Sequence, residues 1–265
     1  MRQLFSALAL AAMATTASAA SVSYVASDNF NSYGAGALAG ANGGTGFSGA
    51  WTGSPGANVV ATTGADSPMS GNALSFSTPN RDNAASRTLA TSLDRAFYVS
   101  FDFQFDGGEI GNNDFLGLWF GETFGPNIGL KSNCGVGGNC TADLFVRTEG
   151  TGGVFQQNIA IGTTYTVLGL FEKVGNSSTY NRASLWVGDS LANVGSLGAA
   201  DVVYNGASTV SSISTIGFRT ANLDTNPADR LLVDNLRVGV VPTPGTLALL
   251  GLGLVAAGLA SRRRA

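Results

Sequence analysis

The sequence predicts an all-β domain, a sandwich or jelly roll, for most of this 265-residue chain. Three observations support this fold class. Glycine is abundant, with 37 residues, while charged residues make up only 12% of the chain. Short segments alternate apolar and polar residues, and Gly-, Asn- and Ser-rich turns separate them. No stretch of the body sustains a helical period of 3.6 residues beyond a turn or two.

The clearest strand is predicted at Tyr98–Asp106. Phe101, Phe103 and Phe105 point to one face there, and the polar residues between them point to the other. A nearly continuous apolar run at Phe115–Phe120 is typical of a strand covered on both faces. Further strands are expected at Ala142–Thr148, Thr164–Val174, Ala183–Gly188, Thr215–Arg219 and Leu231–Val238.

The N-terminal residues 1–20 have the pattern of a signal peptide. Arg2 precedes an apolar stretch, and the segment closes on Ala17-Ser18-Ala19, the small-residue spacing that signal peptidase accepts. A buried core helix is the alternative, but the following residues turn abruptly polar. We therefore expect an exported protein whose folded body is residues 21–239.

A short collar opens the C-terminal segment 241–265. It consists of Val241, Pro242, Thr243, Pro244 and Gly245. Because proline cannot continue a helix upstream, the collar is expected to be extended and rigid.

An uncharged stretch at residues 245–261 follows the collar and would span ~25 Å as a helix, enough for a short transmembrane segment. Arg262, Arg263 and Arg264 close it and would hold the end in the cytoplasm. The order of collar, Gly/Leu-rich helix and arginine cluster resembles the PEP-CTERM sorting signal of Gram-negative bacteria. The usual collar is Val-Pro-Glu-Pro, and Thr243 replaces its glutamate here.

This resemblance implies a substrate of exosortase. Such a protein is an inner-membrane intermediate first, is cut near residues 242–244, and then reaches the cell surface or an extracellular matrix associated with exopolysaccharide. A permanent single-pass membrane anchor is the alternative.

The charge of the body excludes several partners. All 17 acidic residues lie in it, whereas Arg2 and Arg262–Arg264 lie outside, so ten basic residues remain and the net charge is −7. Nucleic acid and anionic lipid require a basic footprint and are not expected partners. Histidine is absent, which excludes His-based triads and imidazole zinc sites.

Cys134 and Cys140 flank a glycine-rich loop. Two nearby cysteines in an exported protein usually oxidise, so a disulfide is expected. Half of a zinc site is the alternative, but the sequence has no second ligand pair.

Several segments together resemble the concanavalin A-like lectin and glucanase jelly rolls. They are Ser27–Tyr33, Gly36–Trp51, Gly71–Leu74, Tyr180–Trp186 and Leu231–Gly239. The resemblance implies a jelly roll of this type and a non-catalytic module that binds extracellular polysaccharide. A structural matrix component without a defined ligand is the alternative.

The glucanases of this fold carry a Glu-x-Asp-x-(x)-Glu run, because hydrolysis needs facing carboxylates. None of the glutamates of this chain has an acidic residue two positions further on; they are Glu109, Glu122, Glu149 and Glu172. The protein is therefore predicted not to be an enzyme, with a glycan hydrolase or lyase as a less favoured alternative.

The same resemblance implies a structural Ca²⁺ where the first and last strands meet. The matching positions are Asp28, Asn29, Gly71 and Asp234. Oxygen ligands of this kind suit Ca²⁺. In the alternative interpretation, Asp28 and Asp234 cap strand ends or bond turn amides.

Tryptophan is a candidate for sugar contact, because the C–H face of a sugar stacks on an indole. Trp119 lies in an apolar run and is predicted to be core. Trp51 precedes a turn, and Trp186 alternates away from its apolar neighbours, so both are candidate ligand contacts. Burial of either in the core is the alternative.

Overall fold

The computed structural model describes residues 22–62, 69, 71–77, 80–107, 111, 113–134, 140–223 and 229–240. The predicted signal peptide, the sorting collar, the transmembrane segment and the arginine cluster lie outside these ranges. Within them, no helix has the length and apolar character needed to cross a bilayer.

The described part of the chain consists almost entirely of strands. Its one helical element is a short 3₁₀ segment, Leu191–Ser196. The strands are β1 (Ser23–Asp28), β2 (Gly36–Ala37), β3 (Thr52–Gly53), β4 (Ala57–Thr62), β5 (Gly71–Phe76), β6 (Arg81–Leu93), β7 (Phe97–Gly107), β8 (Phe115–Phe120), β9 (Asn127–Cys134), β10 (Cys140–Arg147), β11 (Val154–Asn158), β12 (Thr164–Glu172), β13 (Arg182–Val187), β14 (Val202–Asn205), β15 (Ile213–Ala221) and β16 (Asp229–Val240).

Two antiparallel sheets stack face to face and form a jelly-roll β-sandwich, as the sequence predicted. Long crossovers connect strands that are neighbours in a sheet but distant in the chain. The nine-stranded sheet has the order β14-β13-β12-β7-β16-β5-β4-β2, with β1 also paired to β16, and the seven-stranded sheet has the order β11-β10-β9-β8-β15-β6-β3.

The hydrophobic core fills the space between the two sheets. Phe101, Phe103 and Phe105 are buried in it, which confirms the alternation predicted for β7. Every residue of Phe115–Phe120 is buried, which confirms that β8 is covered on both faces. Period-2 alternation therefore identified the inner face of the central strands correctly.

The other predicted strands are all present, with boundaries displaced by a few residues. The longest strand, β6 (Arg81–Leu93), was not predicted. Polar residues and alanines dominate its sequence, so it carries little apolar alternation. Its position comes from pairing with β15 on one side and β3 on the other.

The first and last strands pair antiparallel, with Asp28 opposite Leu236. The register of β16 against β7 shifts between Asp234 and Arg237, and Asn235 adopts a positive φ of 51° at this bulge. Asp234 lies opposite Asp102 on β7. The bulge thus gathers aspartates near the junction of the terminal strands.

The two cysteines lie opposite each other in the β9–β10 pair. Directly opposed Cα atoms in an antiparallel ladder are about 4.5–5.5 Å apart, within the range that a disulfide spans. The two side chains lie outside the described part of the structure, so the disulfide stays a prediction.

Candidate functional site

Trp51 does not contact a ligand in the way the sequence suggested. Its indole is only 2% exposed and packs between Phe47 and Phe218, with ring centroids 5.9 and 6.2 Å away. Its Nε1 donates a hydrogen bond to Oδ2 of Asp28 at 2.9 Å. The prediction of a sugar contact is wrong because both the ring and the polar atom are used inside the core.

Trp186 is also buried, with 8% of its surface exposed. Its side chain points away from the main core, as the alternation predicted, and packs instead with Leu168 and Leu191. The 3₁₀ segment that begins at Leu191 covers this side of the sheet, and Nε1 of Trp186 donates to the carbonyl of Gly198 at 3.1 Å. The prediction of an exposed indole is wrong because a later segment closes over it.

The carboxylate of Asp28 is the acceptor of a buried network between the two sheets. Its Oδ1 accepts from the backbone N–H of Phe30 at 3.0 Å. Its Oδ2 accepts from the hydroxyl of Tyr33, from Nε1 of Trp51 and from Nη1 of Arg87 at 3.1 Å. A carboxylate with four donors, one of them a guanidinium, does not fit the role of a calcium ligand, and it matches the alternative of internal hydrogen bonding.

Asp234 fits the role of a calcium ligand better than Asp28 does. It is buried, and its Oδ1 accepts from the backbone N–H of Asn235 at 2.6 Å. Burial, together with the negative charges of Asp102 and Asp28, raises its pKa to about 7. A cation at this position would offset the desolvation and the like-charge repulsion.

The other two predicted positions lie at the start of β5 and in the loop after β1. Asn29 and Gly71 are both exposed. Gly71 has a φ of 108°, and a side chain there would strike Oδ1 of Asn31. Among the described residues, no group of three or more acidic or cysteine side chains could hold a metal ion. The carbonyl of Gly71 accepts a hydrogen bond from Oγ1 of Thr62 at 3.0 Å, so a calcium site that uses the carbonyls of Asn29 and Gly71 with Asp234 stays a prediction.

Three loops at one end of the sandwich line an open cavity of about 400 Å³. They are the β8–β9 loop, the β10–β11 loop and the β14–β15 loop. Its lining residues are Glu122, Phe124, Glu149, Gly150, Ala207, Ser208 and Thr209. We call this cavity the end groove.

The β8–β9 and β10–β11 loops are fixed against each other by polar side chains. Asn127 donates from Nδ2 to the carbonyls of Gly125 at 2.7 Å and Glu149 at 3.2 Å. Thr148 ties the β10–β11 loop to the carbonyl of Gly206 at 2.6 Å. The groove is therefore built from loops that the sheet ends hold in place.

Phe124 is the aromatic side chain of the groove, and 54% of its surface is exposed. The guanidinium of Arg219 lies 4.9 Å from its ring centroid. A Cβ on residue 150 would lie 2.8 Å from Cβ of Phe124, so Gly150 allows the close approach of the two loops. An exposed ring held in this way is suited to contact an apolar face of a ligand.

Two glutamates from different loops line the same groove. Oε1 of Glu149 accepts from the hydroxyl of Tyr204 at 3.0 Å, and Oε1 of Glu122 accepts from the hydroxyl of Thr209. Each carboxylate keeps a second oxygen, which can accept a hydrogen bond from a ligand. With the hydroxyls of Ser208 and Thr209, the groove combines an aromatic surface with several hydrogen-bonding groups.

A second cavity of about 270 Å³ lies on the nine-stranded sheet. Asp102 lines it, but its carboxylate already accepts from Thr166 at 2.6 Å and from Nδ2 of Asn235 at 2.7 Å. Among the described residues, no exposed aromatic side chain lines this cavity. The end groove is therefore the better candidate for a ligand site.

The sequence offered little that would reveal this groove. Glu122 and Glu149 were noted only as isolated glutamates, and Phe124 lies in a Gly/Pro-containing loop without strand alternation. An aromatic residue between turn residues was the one available signal. The residues come together only because β8, β10 and β14 end on the same side of the sandwich.

No known family description and no curated protein matches the chain. Solved structures resemble it in fold. Alginate lyase Aly36B is 13% identical with a TM-score of 0.47, over 83% of this chain and 98% of that one. An alginate lyase from Aplysia kurodai is 12% identical with a TM-score of 0.44, and the match covers 72% of this chain and 89% of the lyase. A β-1,3-glucanase from Mycobacterium marinum is 12% identical with a TM-score of 0.39, and the match covers 63% of this chain and 73% of the glucanase. Likenesses of this size concern the arrangement of the strands alone.

Proposed function

We propose that this chain is an exported cell-surface or extracellular-matrix protein whose jelly-roll domain binds polysaccharide in the end groove without chemically altering it. The observation that carries the proposal is Phe124, an exposed aromatic ring beside two carboxylates in one groove. Sugars present apolar C–H faces and a rim of hydroxyls, so their recognition needs a flat apolar surface next to hydrogen-bond acceptors. The end groove supplies both.

The hydrogen-bonding groups of the groove match sugar hydroxyls in number and kind. Carboxylate oxygens accept from hydroxyls, and the hydroxyls of Ser208 and Thr209 both donate and accept. A largely preformed site with a few placed polar groups is typical of ligand pockets. The side-chain and backbone bonds that hold the loops reduce the ordering cost of binding.

The non-catalytic part of this proposal is supported by the sequence, because none of the four glutamates has an acidic residue two positions further on. Hydrolysis of a glycoside requires one carboxyl group that donates a proton to the leaving oxygen and a second that acts as nucleophile or base. A hydrolase or lyase would instead release reducing or unsaturated ends, which can be assayed directly.

The test uses the purified full-length chain in mild detergent on a glycan array that includes bacterial exopolysaccharides. Saturable binding is expected, and Phe124→Ala should weaken it by about tenfold or more, as the loss of a stacking side chain does. Phe155→Ala is the matched control, because Phe155 is 39% exposed on β11 but does not line the groove. If neither the wild type nor the control binds any glycan while both remain folded, a structural matrix component without a ligand is the better account.

We also propose that the protein is delivered by signal peptidase and exosortase. The support is the signal pattern of residues 1–20 and the collar, apolar segment and arginine cluster of residues 241–265. Replacement of Pro242 and Pro244 by alanine should leave the protein in the inner membrane at its uncut mass. Appearance of the wild-type protein at the surface without any C-terminal cleavage would favour a permanent anchor.

A structural Ca²⁺ held by Asp234 with the backbone carbonyls of Asn29 and Gly71 is part of the same proposal. The support is the buried carboxylate of Asp234 near two other aspartates. When bound, Ca²⁺ would supply a cross-link between the last strand and the loops that flank it.

A further inference from the structure

The charged residues that line the end groove are both acidic. Glu122 is exposed and Glu149 is half-buried, and no lysine or arginine of the described chain is among the lining residues. The body as a whole carries a net charge of −7, so its long-range field has the same sign. The charged side chains that a ligand can contact in the groove are therefore the carboxylates of Glu122 and Glu149.

Two arginines lie close to groove residues but do not line the groove. Arg147 is buried, its Nε donates to Oδ1 of Asn127 at 2.8 Å, and its guanidinium lies 4.8 Å from the ring of Phe145. Burial lowers its pKa to about 10, yet it remains a cation at neutral pH. Its positive charge offsets part of the negative charge of Glu149, although Arg147 itself does not line the groove.

Arg219 is the second of these cations. Its Nε pairs with Oδ1 of Asp82 at 3.0 Å, and its guanidinium contacts the rings of Phe124 and Phe115. It supports the aromatic ring and is not among the groove's lining residues. The surface presented to a ligand thus combines a ring with two carboxylates.

Building on the proposed function, we infer that the glycan bound in the end groove carries free amino groups, as in a polysaccharide of de-N-acetylated hexosamine. An ammonium group donates charge-assisted hydrogen bonds to carboxylates, which are stronger than those donated by a hydroxyl. A neutral sugar can form only the weaker bonds, and a uronate would place its charge against Glu122 and Glu149. The sugar ring itself would lie on Phe124 in all three cases.

The experiment compares three oligosaccharides of equal length by calorimetry on the full-length chain: glucosamine, N-acetylglucosamine and alginate oligomers. Glucosamine oligomers should bind at least about fivefold more tightly than N-acetylglucosamine oligomers, and alginate oligomers most weakly. Glu122→Gln and Glu149→Gln should each weaken binding of the glucosamine oligomer more than binding of the N-acetylated oligomer, so that much of the preference for the amino sugar is lost. Raising the salt concentration should reduce the preference, because charge pairs at an open groove are screened.

A matched control separates the groove from general attraction of a polycation to an acidic protein. Glu172→Gln makes the same chemical change on β12, where Glu172 pairs with Arg182 outside the groove. It should leave all affinities unchanged. An equal loss in the Glu172 variant, or equal affinity for the amino and N-acetylated oligomers, would overturn the inference while the proposed glycan binding stands. Absence of binding to every oligomer, with the protein folded, would overturn both.

Discussion

Arg87 and Asp28 form an ion pair between the two sheets, with Nη1 and Oδ2 3.1 Å apart and side chains only 3% and 1% exposed. Arg87 also donates to the carbonyls of Gly49 and Gly43, at 2.8 and 2.7 Å, and to Oδ1 of Asn42. Arg87 therefore ties the loop between β2 and β3 to β6, and the ion pair ties the end of β1 to the same strand. Removing one partner of a buried ion pair leaves the charge of the other partner buried without compensation. This cost, rather than the attraction between the two charges, is the main energetic consequence of the pair.

We predict that Arg87→Met lowers the free energy of unfolding by about 3–5 kcal/mol, because the carboxylate of Asp28 would be left buried without its cation. Urea denaturation measures the change. Arg230→Met is the control, since Arg230 pairs with Asp106 at the surface and should matter by no more than about 1 kcal/mol. Equal effects of the two substitutions would contradict the assignment of Asp28 to an internal network.

We predict that, in EDTA, stability falls as the pH rises from about 4 to 7. Asp234 has a folded pKa of about 7 against an ordinary value of 3.8. In this window the unfolded chain has released the proton while the folded protein still holds it, so folding becomes less favourable with rising pH. The loss should be on the order of 2–4 kcal/mol, because one unit of pKa difference between the folded and unfolded states corresponds to about 1.4 kcal/mol.

The slope assigned to Asp234 is checked with Asp234→Asn, which cannot titrate. Chemical denaturation at several pH values should show a flatter profile for the variant over the same window. An unchanged profile would mean that another group causes the dependence.

Calcium should stabilise the wild-type protein at neutral pH. Excess Ca²⁺ is expected to raise Tm by about 5 °C through binding to the folded state alone. Asp234→Asn should abolish the rise, and Mg²⁺ should not replace Ca²⁺, because it binds poorly to carbonyl-rich sites of this kind. A rise that survives the substitution would place the ion elsewhere.

Gly129 is expected to tolerate no side chain. A Cβ there would overlap the backbone carbonyl of Leu116 on β8. Gly129→Ala should therefore cost about 1–3 kcal/mol, since a backbone atom must move. Gly198→Ala is the control, because a Cβ at that position would meet nothing within 4 Å and its φ is not positive, so thermal unfolding should barely change. Similar Tm values for both variants would show that β8 and β9 can separate without cost.

The register that places Cys134 opposite Cys140 predicts a disulfide when the protein is delivered to an oxidising compartment as proposed. Alkylation without reduction should label neither cysteine, and reduction should expose both, as measured by intact mass. Because the closed loop is short, its loss is expected to lower Tm only slightly. Labelling of both thiols in the unreduced protein, isolated from cells that express the full-length chain, would exclude the bond.

Local patterning was enough to identify much of the fold. The alternation of Phe101, Phe103 and Phe105 gave the inner face of β7 correctly, and the apolar run at Phe115–Phe120 gave a strand covered on both faces. Both features depend on neighbouring residues of one strand, whose side chains must alternate between faces whatever the rest of the chain does. The same reasoning failed for Arg81–Leu93, because the burial of that strand depends on its partners.

The amino-acid sequence by itself determined the all-β class, the positions of the central strands and the absence of histidine chemistry. Only the tertiary structure decided which candidate site residues are exposed and which of them lie close together. Trp186 points away from the main core as predicted, yet a segment that begins five residues later covers it. Trp51 is buried in the core, where its Nε1 donates a hydrogen bond to Asp28. Glu122 and Glu149 share a groove because sheet register brings distant loops to one end of the sandwich. Exposure and convergence are properties of long-range contacts, so no local period in the chain encodes them.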